Sequence, residues 1–359
     1  MKHVALVLLL MCSAELWAQV ETDPARVPEG LVLRVLDRPV AEALDLGVVV
    51  FDPGVEADDP SAHAAVRRIE SRLLAAQLRD TLIESNAWGA VRVIPAPSAV
   101  VAVTITAAIE YSDGRQLQLR VRVEDATGAL WWQDTLIDIS TTADYPVSVN
   151  RDPFEDLYRE IANRTLAVTL GYDARALSAL KTVTDIRYAQ SLVPEAFAGY
   201  LATLDGRWQI QRLPARSDPM LARVERIRQQ EYLFVDTVDE QFVDLRSEVK
   251  PIYDLWRQAG RESADYLAAY TVRAGARAID EQRGSFASMQ QVYSTYRSMK
   301  IQEQDLFDIA LAFDQEVTPT VLDTGDDVFR FTGTLASQYE TLRRLLRQIF
   351  ELEQGRDTP

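Results

Sequence analysis

The sequence predicts an α+β protein. A mostly antiparallel N-terminal sheet, covered by two helices on one face, precedes an elongated antiparallel helical bundle that is coiled-coil-like and carries a small β-hairpin. Residues 47–170 read as a β-α-β-β-β-β-α succession, and two later stretches repeat apolar residues at about 3.5-residue spacing. The predicted divisions are a signal peptide at 1–18, an extended lead-in at 19–46, an α+β module at 47–170, a connector at 171–216 and the helical bundle at 217–359.

The first eighteen residues have the pattern of an export signal. A basic start is followed by the apolar run 4–11, and the small residue Ala18 suits cleavage before Gln19. The run is too short to be a permanent membrane anchor. These features predict a periplasmic protein. An outer-membrane lipoprotein anchored through Cys12, the chain's single cysteine, is the alternative.

The α+β module opens with short elements bounded by turn residues. After the lead-in, which carries one predicted strand at 31–36, a buried strand is expected at 47–51 and a second at 91–94. Between them Ser61 is expected to begin a helix. The apolar face of that helix comprises Val66, Ile69, Leu73, Leu74, Leu78 and Leu82.

A hairpin is the clearest local signal in the chain. Two alternating stretches, 100–111 and 116–124, flank a turn in which Asp113-Gly114 supplies the positive φ of a primed turn. Alternation within the second strand predicts one packed face and one wet face. A further strand is expected at 130–139. Asp152 and Pro153 are expected to start a helix that runs to about Leu170.

This module resembles one found in several bacterial envelope proteins. Asp113-Gly114, the run Val-Glu-Asp-Ala-Thr-Gly at 123–128 and the pair Trp131-Trp132 carry the resemblance. It is similar to the curli-secretion channel subunit, the outer-membrane activator of a penicillin-binding protein and the N-terminal domain of TolB. The resemblance covers residues 47–170 and implies an envelope compartment and non-enzymatic interaction work.

The connector and the start of the helical region are less regular. A short helix is expected at 194–204, and Ser217-Asp218-Pro219 is expected to cap a long one. Pro251 should kink that helix, and the chain is expected to turn back at Gly260 or at Gly284. The apolar stripe, here called the first seam, consists of Val235, Val238, Phe242, Leu245, Val249, Ile252, Trp256, Ala259, Ser263, Tyr266 and Tyr270. Its length predicts antiparallel partner helices.

A second seam and a last helix complete the predicted bundle. The second seam consists of Met289, Val292, Tyr296, Met299, Glu303, Leu306, Ala310 and Phe313. Glu303 is therefore expected to be a buried acid that pairs with a facing cation. A small hairpin is expected from 320–322 and 328–331, and Thr334 is expected to cap the last helix. The inward residues of that helix are Leu335, Tyr339, Leu342, Leu346 and Ile349.

Candidate chemical residues are few, and each has a structural interpretation that is favoured. His63 is the only histidine after the signal, and without a nucleophile motif it is expected to be an exposed first-turn residue. The pair Asp58-Asp59 suits a helix N-terminus. Asp323, Asp326 and Asp327 around a glycine are expected to form a turn rather than a calcium site, because the loop lacks the EF-hand pattern.

The remaining candidates are aromatic. Tyr253, Trp256, Tyr266, Tyr270, Tyr293 and Tyr296 follow helical spacing. Core packing is favoured over a ligand groove for these residues. The sequence contains no phosphate-binding glycine motif, so no catalytic, cofactor-binding or metal-ligating residue and no cofactor is predicted.

Charge limits the partners. The 54 acidic and 38 basic residues give a formal charge of −16, which disfavours nucleic acid as a ligand. The prediction is a non-enzymatic envelope adaptor or scaffold that binds other envelope proteins and can self-associate through its seams. Two alternatives stay open. One is a glycan hydrolase with paired carboxylates, one of them with a raised pKa, and the other is a small-molecule or lipid carrier with an apolar cavity.

Overall fold

The computed structural model describes residues 23–38, 40, 42–148, 151–215, 218–277, 294, 297, 300, 301, 304–308, 320–323 and 328–356. The strands are β1 Ala25–Arg26, β2 Leu46–Val49, β3 Val91–Ile94, β4 Val103–Ser112, β5 Gln116–Asp125, β6 Leu130–Ile139, β7 Leu201–Leu204, β8 Arg207–Ile210, β9 Thr320–Asp323 and β10 Val328–Phe331. The helices are α1 Ala62–Glu84, α2 Glu155–Thr169, α3 Ala174–Leu192, α4 Pro219–Arg277 and α5 Leu335–Arg356. The predicted signal peptide and Cys12 lie outside the described residues.

A six-stranded sheet organises the N-terminal half in the order β1-β6-β5-β4-β2-β3. The predicted succession of elements in the module is confirmed, but the sheet is mixed rather than mostly antiparallel. Its β4/β5 and β5/β6 pairs are antiparallel, whereas β1/β6, β2/β4 and β2/β3 are parallel. The reason is the α1 crossover between β2 and β3, since a helix that returns the chain to the same end makes the two strands parallel.

Helix α1 forms because its apolar residues recur on one face, and the predicted face is buried throughout. Ser61 is its N-cap, and the Ser61 hydroxyl accepts the backbone N–H of Ala64 at 3.1 Å. Helix α2 lies beside α1 and against β6. It begins at Glu155 rather than at Asp152, because the Asp152 carboxylate accepts a hydrogen bond from the Arg257 guanidinium and from the Phe154 backbone instead.

Helix α4 runs unbroken for 59 residues, about 90 Å, through both Pro251 and Gly260. The predicted turn at Gly260 is therefore wrong, and Gly284 lies outside the described residues. Most of the first seam between Val235 and Ala259 is buried. Helix α4 packs against α1, the edge strand β3, α3, α5 and β9. The described residues do not show the predicted antiparallel bundle, which stays a prediction.

The tip of the β4–β5 hairpin explains why residue 260 is glycine. A Cβ atom on Gly260 would lie 2.7 Å from the backbone oxygen of Asp113. A Cβ atom on Gly114, which has a φ of +76°, would lie 2.0 Å from the backbone oxygen of Arg257. The two backbones approach this closely only because both positions lack a side chain. The helix therefore uses Gly260 for contact with the hairpin and not for a turn.

The predicted connector is more ordered than the sequence suggests. It contains the 19-residue helix α3, and the stretch 194–204, predicted to be helical, ends in the β7–β8 hairpin. Helix α3 was missed because it is apolar on two sides. Leu180 and Ala189 enter the main core, while Val183 and Ile186 pack in a second cluster under β7. A helix buried on two sides lacks the single-face repeat that identifies most helices.

The lead-in is extended, but its predicted strand at 31–36 is wrong. Side chains of α2 take the place of a strand partner. The Arg34 N–H donates to Asn163 Oδ1 at 2.8 Å, and Asn163 Nδ2 donates to the backbone oxygen of Val32 at 2.9 Å. Because these backbone groups are already hydrogen-bonded, this stretch does not need to pair with a neighbouring strand. Only Ala25–Arg26 joins the sheet.

The C-terminal part returns to the same core. The predicted hairpin is confirmed as the antiparallel pair β9 and β10, and Thr334 Oγ1 accepts the Ser337 N–H at the start of α5. Tyr339, Leu342 and Leu346 are buried as predicted. Of the second seam only Leu306, which is buried, belongs to the described residues. The main hydrophobic core runs from Val27 to Phe350.

The hairpin contact yields the first prediction. Changing Gly114→Ala should destabilise the protein by at least ~2 kcal/mol more than Gly199→Ala, because left-handed strain alone costs only ~1–2 kcal/mol. Gly199 has the same φ of +76° but nothing within 4 Å of its would-be Cβ. Urea unfolding of both variants measures the difference. Equal losses would show that the hairpin tip does not press on α4.

Candidate functional site

The two edges of the six-stranded sheet are treated differently by the rest of the chain. The β3 edge is covered by α4, whose Asp239 accepts the Val93 N–H at 3.1 Å and pairs with Arg79 of α1 at 3.1 Å. Burial raises the pKa of Asp239 to about 6 against the opposing effect of Arg79. The opposite edge belongs to β6, and β1 covers it along only two residues.

The uncovered part of β6 directs backbone groups away from the sheet. The Ile137 oxygen accepts the Val27 N–H at 2.9 Å on the β1 side. Alternate residues of an antiparallel strand turn their backbone groups to opposite neighbours, so Thr135 and Gln133 face the same side as Ile137. The Thr135 N–H is taken by the Asp134 carboxylate at 2.9 Å. Within the described part of the chain, no residue bonds to the backbone of Gln133. We call residues 130–135 the open edge.

Aromatic side chains hold the open edge in place. Trp131 donates its indole N–H to Asp125 Oδ2 at 2.8 Å and packs against Tyr172 in a tilted arrangement with 5.8 Å between ring centroids. Trp132 lies on the helix-covered side, where the Arg164 guanidinium sits 4.7 Å from its ring centroid. Leu130, at the start of the strand, is 46% exposed. The edge is therefore a fixed strand with an exposed apolar residue at its end.

The Asp-Ala-Thr-Gly run of the sequence resemblance lies immediately before the open edge. The buried carboxylate of Asp125 accepts the Thr127 N–H at 2.8 Å and the Thr127 hydroxyl at 2.5 Å. Gly128 has a φ of +83°. This is an Asx-type turn that leads β5 into β6. Its role is to set the direction of the open edge.

The sheet face opposite the helices is polar and internally neutralised. Arg120 pairs with Glu110 at 3.0 Å, and Arg122 pairs with Glu124 at 2.8 Å. These side chains are largely exposed, and such pairs contribute little to stability in water. The predicted alternation of one packed face and one wet face is confirmed by the buried residues of β5. The wet face lacks the apolar centre that most protein interfaces have.

The predicted chemical residues occupy structural positions. His63 is exposed in the first turn of α1. Asp59 precedes that helix and accepts the Ser61 N–H at 2.8 Å, a hydrogen bond that lowers the pKa of Asp59. Asp323 ends β9, whereas Asp326, Asp327 and the turn glycine lie outside the described residues, as does Glu303. Among the described residues, no group of three or more acids, histidines or cysteines could hold a metal ion.

The aromatic candidates follow the core-packing prediction where they are described. Tyr253 is buried, stacks on Trp256 with 5.8 Å between centroids and donates its hydroxyl to Glu70 at 2.7 Å. Tyr266 is half-buried. The side chain of Tyr270, and Tyr293 and Tyr296 as a whole, lie outside the described residues.

Sequence reasoning missed the buried charges of α4. Glu231 is buried and accepts hydroxyl hydrogen bonds from Ser98 at 3.2 Å, Tyr188 at 2.9 Å and Tyr339 at 2.5 Å. Extending the first seam four residues before Val235 leads directly to Glu231. The same repeat that placed Glu303 in a core position could therefore have found it.

Asp138 is one of several described acids that have the raised pKa the hydrolase alternative requires. Burial, together with the nearby charge of Asp156, raises the pKa of Asp138 to about 7. Both residues line a surface groove of about 630 Å³ between the lead-in and α2. Their oxygens already have partners. Asp138 accepts the Leu157 N–H at 3.2 Å, and Asp156 accepts the Gly30 N–H at 2.6 Å. These bonds cap α2 and fasten the lead-in to it.

Comparison with known proteins gives no family assignment. No protein-family model, curated protein or solved structure matches this chain. The resemblance to the envelope module therefore stays a prediction. None of the described helices combines the length and the apolar character needed to cross a bilayer.

The second prediction concerns pH. Because the pKa of Asp138 is raised from 3.8 to about 7 in the folded state, folded Asp138 holds a proton between about pH 4 and pH 7 that the unfolded chain releases. Stability from this group is therefore fully present below pH 4 and is lost as the pH rises through 7. Asp138→Asn cannot ionise, so it should be more stable than the wild type at pH 8 and closer to it at pH 5.

Urea unfolding at both pH values measures this effect, which should be on the order of a few kcal/mol at pH 8. Asp58→Asn is the control, because Asp58 is exposed. A stability difference between Asp138→Asn and the wild type that is independent of pH would contradict the assignment of a raised pKa to Asp138.

Proposed function

We propose that this chain is an exported cell-envelope protein that acts as a non-enzymatic adaptor or scaffold and binds an extended segment of another envelope protein along its open edge. The single observation that carries the proposal is the uncovered length of β6. The opposite edge of the same sheet is covered by a 59-residue helix, while residues 130–135 pair with β5 on one side and have no strand partner on their outer side among the described residues. The export signal and the lack of cysteine after it support the compartment.

Strand addition is the binding mode that an open edge supports. A partner segment laid beside β6 would bond to the backbone of Gln133, which gives affinity that is largely independent of the partner's sequence. Natural proteins usually blunt such edges with charge, proline or a covering element. Here the Asp134 carboxylate accepts the outward N–H of Thr135, whereas the backbone of Gln133, the next outward-facing residue, has no such bond among the described residues. The rigid Trp131 and exposed Leu130 supply side-chain contacts beside that position.

The alternatives receive less support from the described residues. A hydrolase needs two acids free to act on substrate, and the oxygens of Asp138 and Asp156 are bonded to backbone N–H groups. A lipid carrier needs an apolar cavity, whereas the described grooves are lined by polar and charged side chains as well as apolar ones. Binding another protein requires only an exposed, rigid surface, which the open edge provides.

We further propose that the second seam forms the elongated coiled-coil-like bundle and joins chains. The first seam up to Ala259 is already buried within one chain, and so is Leu306 of the second seam, so the proposal rests on the other positions of the second seam. The second seam carries the same repeat, and residues 304–308 of it are helical. A scaffold that combines a strand-binding edge with an oligomerising helix would present several edges at once and gain avidity.

Strand addition predicts that Gln133→Pro abolishes partner binding while Gln133→Ala preserves it. Both variants remove the same side chain, but only proline removes the outward N–H. That N–H has no ladder partner, so proline is tolerated at this edge and the fold should be kept. The wild type and both variants, immobilised, are exposed to an envelope extract, and the retained proteins are quantified by mass spectrometry.

At least a tenfold loss of specific partners in Gln133→Pro, with the thermal midpoint unchanged, is the expected result. The same proteins retained equally by both variants would rule out strand addition at this edge. An extract that yields no specifically retained protein would count against the adaptor function itself.

Self-association predicts a discrete oligomer of the mature chain in light scattering. The measured mass should be a multiple of the monomer and should fall on dilution. A monomer at every concentration would place the second seam within one chain and remove the scaffold part of the proposal.

A further inference from the structure

A second groove lies where the sheet meets the C-terminal helices. It has a volume of about 430 Å³, within the ~300–1,000 Å³ typical of small-molecule sites. Its walls come from α3, α5, the β8 strand and the loop before β4. The residues that matter for its chemistry are Glu124, Asp125, Arg187, Gln190, Trp208 and Arg343. We call it the junction groove. It is separate from the open edge, and its argument does not depend on the proposed function.

Arg187 of α3 supplies the first cation of the junction groove. Its Nη1 donates to the backbone oxygen of Ala126 at 2.6 Å, and its guanidinium lies 5.7 Å from the Trp208 ring centroid. Burial lowers the pKa of Arg187 below its ordinary value, although Glu124 and Asp125 act in the opposite direction. The neighbouring acids therefore do not fully offset the cost of burying the Arg187 charge. A bound anion would offset more of that cost.

Arg343 of α5 supplies the second cation. It is half-buried, and within the described part of the chain its guanidinium has no ion pair or hydrogen bond. Its helix is fixed in place one turn earlier, where Tyr339 donates to the buried Glu231 at 2.5 Å. Elsewhere in the chain, arginines pair with acids, as Arg228 does with Asp185 at 2.5 Å. Arg343 lines the groove and has no such partner among the residues that the structure describes.

The other groups of the groove suit a ligand with hydroxyl groups and a flat apolar face. Gln190 uses its Nε2 to bond the Phe197 oxygen at 3.0 Å, which orients its Oε1 as an acceptor. Trp208 is half-buried. Its backbone N–H donates to the backbone oxygen of Thr127 at 2.8 Å, which fixes the strand that carries the indole. Glu124 and Asp125 at the wall add negative charge, which disfavours a ligand with several negative charges.

We propose that the junction groove binds a monoanionic sugar, of the uronic acid class, with its carboxylate on Arg187 and Arg343. Guanidinium groups recognise carboxylates through paired, charge-assisted hydrogen bonds. The sugar ring lies against the Trp208 indole, and a ring hydroxyl donates to Gln190 Oε1. One ligand of this class would contact both arginines, the indole and the Gln190 amide oxygen.

Isothermal titration of the full mature protein tests the proposal with three probes: glucuronate, glucose and acetate. Glucuronate should bind at least tenfold more tightly than either of the others, because only it offers both the carboxylate and the ring. Raising the salt concentration should weaken glucuronate binding, since part of the affinity is electrostatic. If glucose bound as tightly as glucuronate, the proposed carboxylate contact would be ruled out. If acetate bound as tightly as glucuronate, the proposed contact with the sugar ring would be ruled out.

Variants then locate the site. Arg343→Gln should lose at least tenfold in glucuronate affinity, and Arg347→Gln on an exposed position of the same helix should lose none. Thermal midpoints of both variants show whether α5 stays docked. Unchanged affinity in Arg343→Gln, or no detectable binding of glucuronate by the wild type, would overturn the proposal.

Discussion

The contact between the β4–β5 hairpin tip and α4 is the constraint on which the arrangement of the molecule depends. Beside the two glycines, Arg257 is fully buried, and its guanidinium donates to Asp152 at 2.8 Å. The rings of Phe154 and Tyr253 lie 4.8 and 4.6 Å from it. Burial alone would raise the pKa of Asp152, but Arg257 outweighs it and the pKa lies below its ordinary value. Removing either partner of such a pair strands a buried charge, which typically costs ~3–5 kcal/mol.

Buried carboxylates with hydroxyl partners extend this attachment along α4. Glu70 of α1 accepts the hydroxyls of Ser112 at 2.6 Å and Tyr253 at 2.7 Å, and Glu231 of α4 does the same with groups from α3 and α5. Each carboxylate joins elements that are far apart in the sequence. Because an unsatisfied buried acid is costly, these bonds specify where the helix lies as well as stabilising it. The result is one core that spans both the sheet and the C-terminal helices.

The parts of the fold that the sequence predicts well are those with one buried face. Helix α1 and strand β5 present a single repeat, and both are where the repeat places them. Helix α3 is buried on two sides, so its pattern is hidden. Gly260 signals a turn in the sequence, yet its reason is a backbone contact with a residue 147 positions away, Asp113. The open edge depends on strand order, since only the parallel placement of β1 on β6 shows how little of that edge is covered. The export signal and the second seam stay predictions.

The covering of β3 by α4 also has a consequence for the order in which the chain folds. A protein emerges from the ribosome, or from a secretion pore, with its N-terminus first. The last strand of the sheet ends at Ile139, so the sheet strands are complete 100 residues before Asp239 arrives to bond with Val93. During that interval the sheet exposes two edges, and either can pair with a neighbouring chain. The long helix thus acts late, by covering one of the two edges that the six-stranded sheet exposes before α4 is made.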